Sequence, residues 1–409
     1  MDKAASATEQ QIQLRPLREL PFYCHPVYLF VAVWIAMLVS LEFQVSWSTY
    51  PDRSLGIAVF AISVGSLLLG FVALRQEPTA RAKRSLPRYS IRTEPLRKSI
   101  LILGVGSVGL VVYNFLAFGL PPIASFLGAS TLDYQEYGRF KQALEPMTSA
   151  LFLNALLEPS RKRRWFWSAL SLGIMLAYVL RGPLLMSLAQ GVILFSLRTS
   201  IPKRTIYFRA IVMLLIALTL INVIGNARTP QQIFLEFMEI KPEFRSWPMA
   251  VLWPITYISV PVSNLCWIIH GAHFTEPTLS FLYPVLPSFW APENPHETAL
   301  SDSHIIDGVH TYLADYYLDF SWFGIVGLNF ALGMLSAFLV NKERVSRYLL
   351  LSPILLSAMG LIFFWDFFVY LPTLGELAIQ AIVQKHCIQS TERRAAAPLA
   401  LRTRPNPAT

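Results

Sequence analysis

Charge is what this chain has least of. Charged residues make up 14% of the 409 residues, and 54% are hydrophobic, whereas a soluble globular chain carries about 25% charged residues. So few charges on so long a chain argue for lipid as the solvent. The formal net charge of +9 would point to nucleic acid in a soluble protein. Here the basic residues fall in short clusters between apolar runs, as membrane orientation requires, and no nucleic-acid partner is expected. The three cysteines, Cys24, Cys266 and Cys387, are far apart with no CxxC spacing, which argues against a disulfide framework, a zinc site or a redox pair. No small-residue cleavage site follows the first apolar run, so that run reads as an uncleaved span. No internal repeat is visible.

Long apolar runs are what the chain does have. A helix needs about 20 apolar residues to cross a bilayer, and about 17 at the short end. Clear runs cover 27–43, 55–74, 99–120, 320–340 and 348–365. Weaker ones cover 146–157, 166–180, 183–197, 210–223 and 367–383, the first of these with a helix start nearer Tyr137. The expectation is an all-α polytopic membrane protein with about ten transmembrane helices.

Basic residues test the count, because cytoplasmic loops are enriched in Lys and Arg. With the N-terminus inside, the internal segments are 1–26, 75–98, 158–165, 198–209, 341–347 and 384–409, and they hold 27 of the 34 Lys and Arg. Segment 249–270 is apolar enough to cross, but a lone crossing there would invert every later loop. It reads as a re-entrant or interfacial helix; alternatively it crosses and 279–290 returns, and Pro254, Pro261, Pro284 and Pro287 suit a broken segment. The expected organisation is a cytoplasmic N-tail (1–26), a membrane domain (27–383) with a long external loop at about 225–319, and a disordered cytoplasmic C-tail (384–409). Both termini face the cytoplasm.

Candidate chemistry starts with arginines on the disfavoured side. The stretch 166–197 allows about 16 residues per crossing, roughly 24 Å against a core of roughly 30 Å. The turn at Arg181-Gly182-Pro183 should therefore lie below the outer surface, where an ionisable side chain faces a cavity or partner. Arg228 follows the same logic more weakly. Two such guanidinium forks suit a diphosphate; the competing reading is snorkelling or a structural ion pair. The second constellation is Asp302, His304, Asp307, His310, Asp315 and Asp319. A neutral His310 could take a proton from a sugar hydroxyl, and a helix over 310–319 would put Thr311, Asp315 and Asp319 on one face. His310 could equally be a cap or surface residue. His296, Glu297 and their neighbours lack HExxH or finger spacing, so no metal is expected. Glu42 and Asp366 lie at run ends and read as interfacial. Tyr257, Tyr283, Tyr312, Tyr316 and Tyr317, with Trp247, Trp253, Trp267, Trp290 and Trp322, form either an aromatic belt or a surface for stacking sugars.

At these residues the chain resembles the O-antigen polymerase and oligosaccharide repeat-unit polymerase family, with a distant likeness to O-antigen ligases. Leu180-Arg181-Gly182-Pro183-Leu184-Leu185 is similar to the family's Ser-Arg-Gly entering a helix. The stretch from Tyr257 through Pro261 to Asn264-Leu265 is similar to the Tyr…Pro…Asn-Leu of its long loop. Asp319-Phe320-Ser321-Trp322-Phe323-Gly324 is similar to its Asp-Phe-Gly-x-x-Gly, with Ser321 replacing the first glycine. His310-Thr311 stands where the ligases carry His-Asn. The resemblance implies a GT-C-like fold in a bacterial inner membrane and an inverting glycosyl transfer without metal, cofactor or nucleotide sugar. It implies undecaprenyl-diphosphate-linked oligosaccharides as donor and acceptor on the periplasmic face. A chain-length regulator and a flippase would be partners. His310, Asp315 and Asp319 would be catalytic, Arg181 and Arg228 would bind diphosphate, and Tyr257 and Asn264 would belong to the substrate loop. The rival functions are a polysaccharide flippase and an O-antigen ligase.

Overall fold

The computed structural model describes residues 9–15, 19–76, 89–127, 134–198, 201–228, 231–271, 277–287, 290, 292, 311–341, 344–362 and 367–390. The chain is predominantly helical. In order come α1 (Pro26–Glu42), α2 (Arg53–Leu74), α3 (Thr93–Phe118), α4 (Tyr134–Ala155), α5 (Arg161–Ala177), α6 (Arg181–Ser196) and α7 (Lys203–Arg228). Then follow α8 (Gln231–Phe237), α9 (Met249–Gly271), α10 (Ala314–Phe320), α11 (Trp322–Val340), α12 (Arg344–Arg347), α13 (Leu351–Gly360) and α14 (Leu371–Cys387). Four of these, α2, α3, α9 and α11, are long and apolar enough to cross a membrane.

Burial is inverted relative to a water-soluble bundle, which marks a membrane protein. Leu68, Leu69 and Val72 of α2 and Leu101, Ile102, Val105 and Leu116 of α3 are exposed, while Ser63, Ser66, Ser107 and Asn114 on the same helices are buried. Where lipid replaces water, helices associate through small residues that let backbones meet. α2 and α11 do so reciprocally. A Cβ on Gly70 would sit 2.0 Å from the Phe330 carbonyl oxygen, and one on Gly333 would sit 2.1 Å from that of Leu67.

One correction to the all-α expectation is a small antiparallel sheet, β1 (Glu9–Ile12), β2 (Tyr89–Arg92) and β3 (Ile388–Ser390), with β2 in the middle. The expected disordered C-tail therefore begins in order, since α14 runs to Cys387 and β3 to Ser390. Further bonds gather at this end. Leu14 bridges Arg198, Ser346 Oγ donates to the Arg15 carbonyl at 2.7 Å, Asn341 Nδ2 donates to the Leu74 carbonyl at 2.7 Å, and Arg97 pairs with Glu158 at 3.2 Å.

The opposite end is closed by α9. It is one continuous 23-residue helix, not the broken segment expected at Pro254 and Pro261. Each proline removes a backbone donor, and burial of the helix on its neighbours offsets the loss. Both ends of α9 meet the same connection between α1 and α2. Trp247, just before the helix, packs edge-on against Phe43. Near its other end, Ser263 Oγ accepts from Tyr50 N at 2.8 Å, Trp267 Nε1 donates to the Ser48 carbonyl at 2.8 Å, and His270 lies beside Tyr50. A helix about 34 Å long with both ends on one short connection lies across that end of the bundle. A bridge from Ser46 to Ile240 and a bond from Ser48 Oγ to Glu239 extend the layer.

Three boundaries differ from the sequence reading. Among the described residues of the run 348–365 the helix covers Leu351–Gly360, about 15 Å, ending at a glycine. α4 starts at Tyr134 and carries Pro146 inside it. α10 starts at Ala314, not at 310, because Thr311 Oγ1 accepts from Leu313 N at 3.1 Å and holds a turn there.

Candidate functional site

The site is built around the start of α6. The chain turns from α5 to α6 at Tyr178, Val179 and Leu180, one step before the expected Arg181-Gly182-Pro183, which forms the first turn of α6. Leu180 N donates to the Met175 carbonyl at 2.9 Å and Val179 has φ 55°. This is the six-to-one closure that usually carries glycine at the left-handed position. All three turn residues are buried, and the Tyr178 hydroxyl donates to Asn114 at 3.0 Å. The short, strained turn fixes where Arg181 points.

Arg181 points at α9. Its Nη1 donates to the Tyr257 hydroxyl at 3.4 Å, and its guanidinium carbon is 5.9 Å from the Trp253 ring centroid. Trp253 and Tyr257 stack at 5.1 Å, and Phe234 packs on Trp253 at 4.0 Å. The guanidinium therefore rests on an aromatic shelf. Its Nε is buried without a hydrogen-bond acceptor, and no carboxylate among the described residues pairs with it. A buried donor left unmade costs about 1–3 kcal/mol, so the fork is poised for an anion with more than one oxygen. The structure thus joins two residues that the sequence had set 76 positions apart. Asn264, two turns along α9 from Tyr257, is buried.

The remaining candidates do not gather at Arg181 among the described contacts. Asp319 is fully buried. One of its oxygens accepts from Thr278 N at 3.0 Å and Thr278 Oγ1. The other accepts from Ser280 Oγ at 3.0 Å and Phe281 N at 3.1 Å. The geometry makes it a clasp holding 278–281 onto α10. Asp315 shares its helix face one turn earlier and is partly exposed. Arg228 ends α7, which packs against α6 and α9. His310 lies outside the described residues, as do His296, Glu297, Asp302, His304, Asp307 and Asp366. Among the described residues no group of three His, Cys, Asp or Glu could hold a metal ion. The aromatic set divides: Trp253, Tyr312, Tyr316 and Tyr317 are buried, while Trp290 is exposed. Glu42 pairs with Arg53 at 2.6 Å in the open.

Two residues escaped the sequence reading. Glu145 of α4 and Glu376 of α14 are buried on one small pocket with Ser149, Pro183, Met186, Phe367, Tyr370 and Thr373. Glu376 falls inside the apolar run 367–383, and a carboxylate there was signal enough to mark it.

Compared with known proteins, the chain matches no family model, no curated protein and no solved structure.

Proposed function

We propose that this chain is a membrane glycosyltransferase-type polymerase that joins undecaprenyl-diphosphate-linked oligosaccharide repeats on the periplasmic face of a bacterial inner membrane. The observation that carries the reading is Arg181. It is a half-buried arginine whose Nε is shut off from solvent, without a described carboxylate partner, set on the Trp253–Tyr257 shelf at the start of α6. A leaving diphosphate gains charge as the glycosidic bond breaks, and a preorganised guanidinium stabilises that charge. Aromatic faces beside it suit sugar rings. The donor's anomeric carbon is attacked by an acceptor hydroxyl, undecaprenyl diphosphate leaves, and the hydroxyl proton passes to a base. His310 is the base suggested by the family resemblance, with Arg228 as the second diphosphate ligand.

The ten-span arrangement with both termini inside is part of the same proposal. The bonds around the sheet support it, because they join the segments that carry most of the basic residues. α9 lying across the opposite end supports the interfacial reading of that segment. A GT-C-like relationship and the partnership with a chain-length regulator and a flippase rest on the resemblance.

The test is growth of glycan by purified protein in nanodiscs given only lipid-linked repeats. Wild type is expected to extend them, and Arg181→Ala to lose about 10²-fold or more in rate, as when an oxyanion donor is removed. Normal chain lengths in that variant would remove Arg181 from the site. A requirement for a lipid A core acceptor would make the protein a ligase.

A second reading, a flippase, is favoured by the buried carboxylates Glu145 and Glu376, since transporters carry such groups inside the membrane. Accumulation of repeats on the cytoplasmic leaflet after gene deletion would select it.

A further inference from the structure

The pocket between α4, α6 and α14 is rich in hydrogen-bond acceptors and poor in donors. Glu145 Oε2 accepts from the Tyr370 hydroxyl at 2.7 Å, and Lys141 Nζ stands 3.6 Å from Oε1, beyond a hydrogen bond. Glu376 Oε2 accepts from Gln190 Nε2 at 3.0 Å. Three buried oxygens are then left without a donor among the described residues: Glu145 Oε1, Glu376 Oε1 and Gln190 Oε1. Gln190 is fully buried, and so is its bonded partner Glu376, 2% exposed, which has no described cation beside it.

Burying a carboxylate without a compensating charge is among the most costly arrangements in a protein. Three unfilled acceptors add to that cost. A positive charge bound in the pocket relieves Glu145 and Glu376, which both line it. The pocket limits its size: about 10 Å³ is room for one water-sized sphere, which excludes a sugar, an organic amine or a lipid headgroup. The donor set limits its type. Two carboxylates, with no third His, Cys, Asp or Glu among the described residues, fall short of the roughly six oxygens that Ca²⁺ or Mg²⁺ gathers, and a monocation makes the smaller demand.

We propose that Glu145 and Glu376 bind one small monocation, Na⁺ or a proton, between α4, α6 and α14, with Gln190 holding Glu376 in place. The site is independent of the polymerase reading and stands whether or not the chain makes glycan. It has a structural consequence, because α6 supplies both Gln190 and Arg181. A cation that draws Gln190 and Glu376 together sets the position of α6 and, through it, of Arg181 on the α9 shelf.

Two measurements on the full-length protein in detergent test the site and separate its two forms. The first is the melting temperature in NaCl against choline chloride at equal ionic strength. The second is the infrared carbonyl band of a protonated, buried carboxyl. If the ion is Na⁺, sodium raises the melting temperature of wild type by several degrees, and the rise disappears in Glu376→Gln. If it is a proton, sodium has no effect, the protonated-carboxyl band is present in wild type, and it is lost or weakened in Glu376→Gln. Should that variant not fold, Glu145→Gln takes its place, and both wild-type measurements still stand. A wild type with neither a sodium effect nor the band overturns the proposal, as does either signal persisting undiminished in a folded Glu376→Gln protein.

Discussion

Ser321 holds a backbone conformation that glycine adopts freely and other residues avoid. Its φ of 55° with ψ of −146° lies where a Cβ costs about 1–3 kcal/mol. The corner between α10 and α11 needs that conformation. Gly324 approaches so closely that a Cβ there would meet the Tyr316 carbonyl oxygen at 2.0 Å. Ser321→Gly is therefore expected to stabilise the protein by about 1 kcal/mol or more, read as a higher melting temperature in detergent; a lower one would show that the serine is not strained. The residues here were legible to different degrees. Arg181 stood out because an arginine opposed the charge distribution around it. Asp319 stood out by its place before a span, but its clasp was unreadable, since its partners Thr278 and Ser280 sit about forty positions away in a run without periodicity. Glu376 was legible as a lone carboxylate inside an apolar run, but its partner Gln190, far away in sequence, was not.

At the scale of elements, hydrophobic runs located the helices well and their ends poorly. Apolarity marks where a helix can lie in lipid, whereas ends are set by local bonds such as the Asp52 side chain accepting from Ser54 N at 2.8 Å to start α2. α9 shows the limit of proline as a sign of breakage. Pro254 and Pro261 remain inside a continuous helix because its neighbours bury it. The α2–α11 contact belongs to this scale too, and it can be tested by bulk. Gly333→Leu is expected to cost about 1–3 kcal/mol or more through overpacking against the Leu67 carbonyl. Gly327→Leu on the same helix, with open space around it, should leave the melting temperature unchanged. Equal effects of the two would mean that α2 and α11 are not held by close backbone contact.

At the scale of the whole molecule, what the sequence offered was a distribution of charge, and what the structure adds is a set of bonds. Both separate the same segments. The prediction is one of sidedness. Arg53→Cys, at the start of α2, should react with an impermeant maleimide added to intact cells from which the outer membrane has been removed. Arg163→Cys, at the start of α5, should react only after permeabilisation. The native Cys24, Cys266 and Cys387 are buried and should give little background. Labelling of Arg163→Cys in intact cells would invert the orientation. Much of the long segment before α10, His310 included, lies outside the described residues.

The three-stranded sheet also imposes a rule on synthesis. β1 and β2 emerge early and can pair once α1 and α2 have formed a hairpin. β3 emerges after α14, and it can join β2 only if it arrives on the same side of the membrane. The number of crossings made between β2 and β3 must therefore be even, and a single missed or extra insertion strands β3 on the wrong side. An α9 that crossed alone would break this parity, and the sheet could not close. On the proposed ten-span arrangement, three short strands thus tie the side on which the chain's last helix emerges to the side that holds β1 and β2.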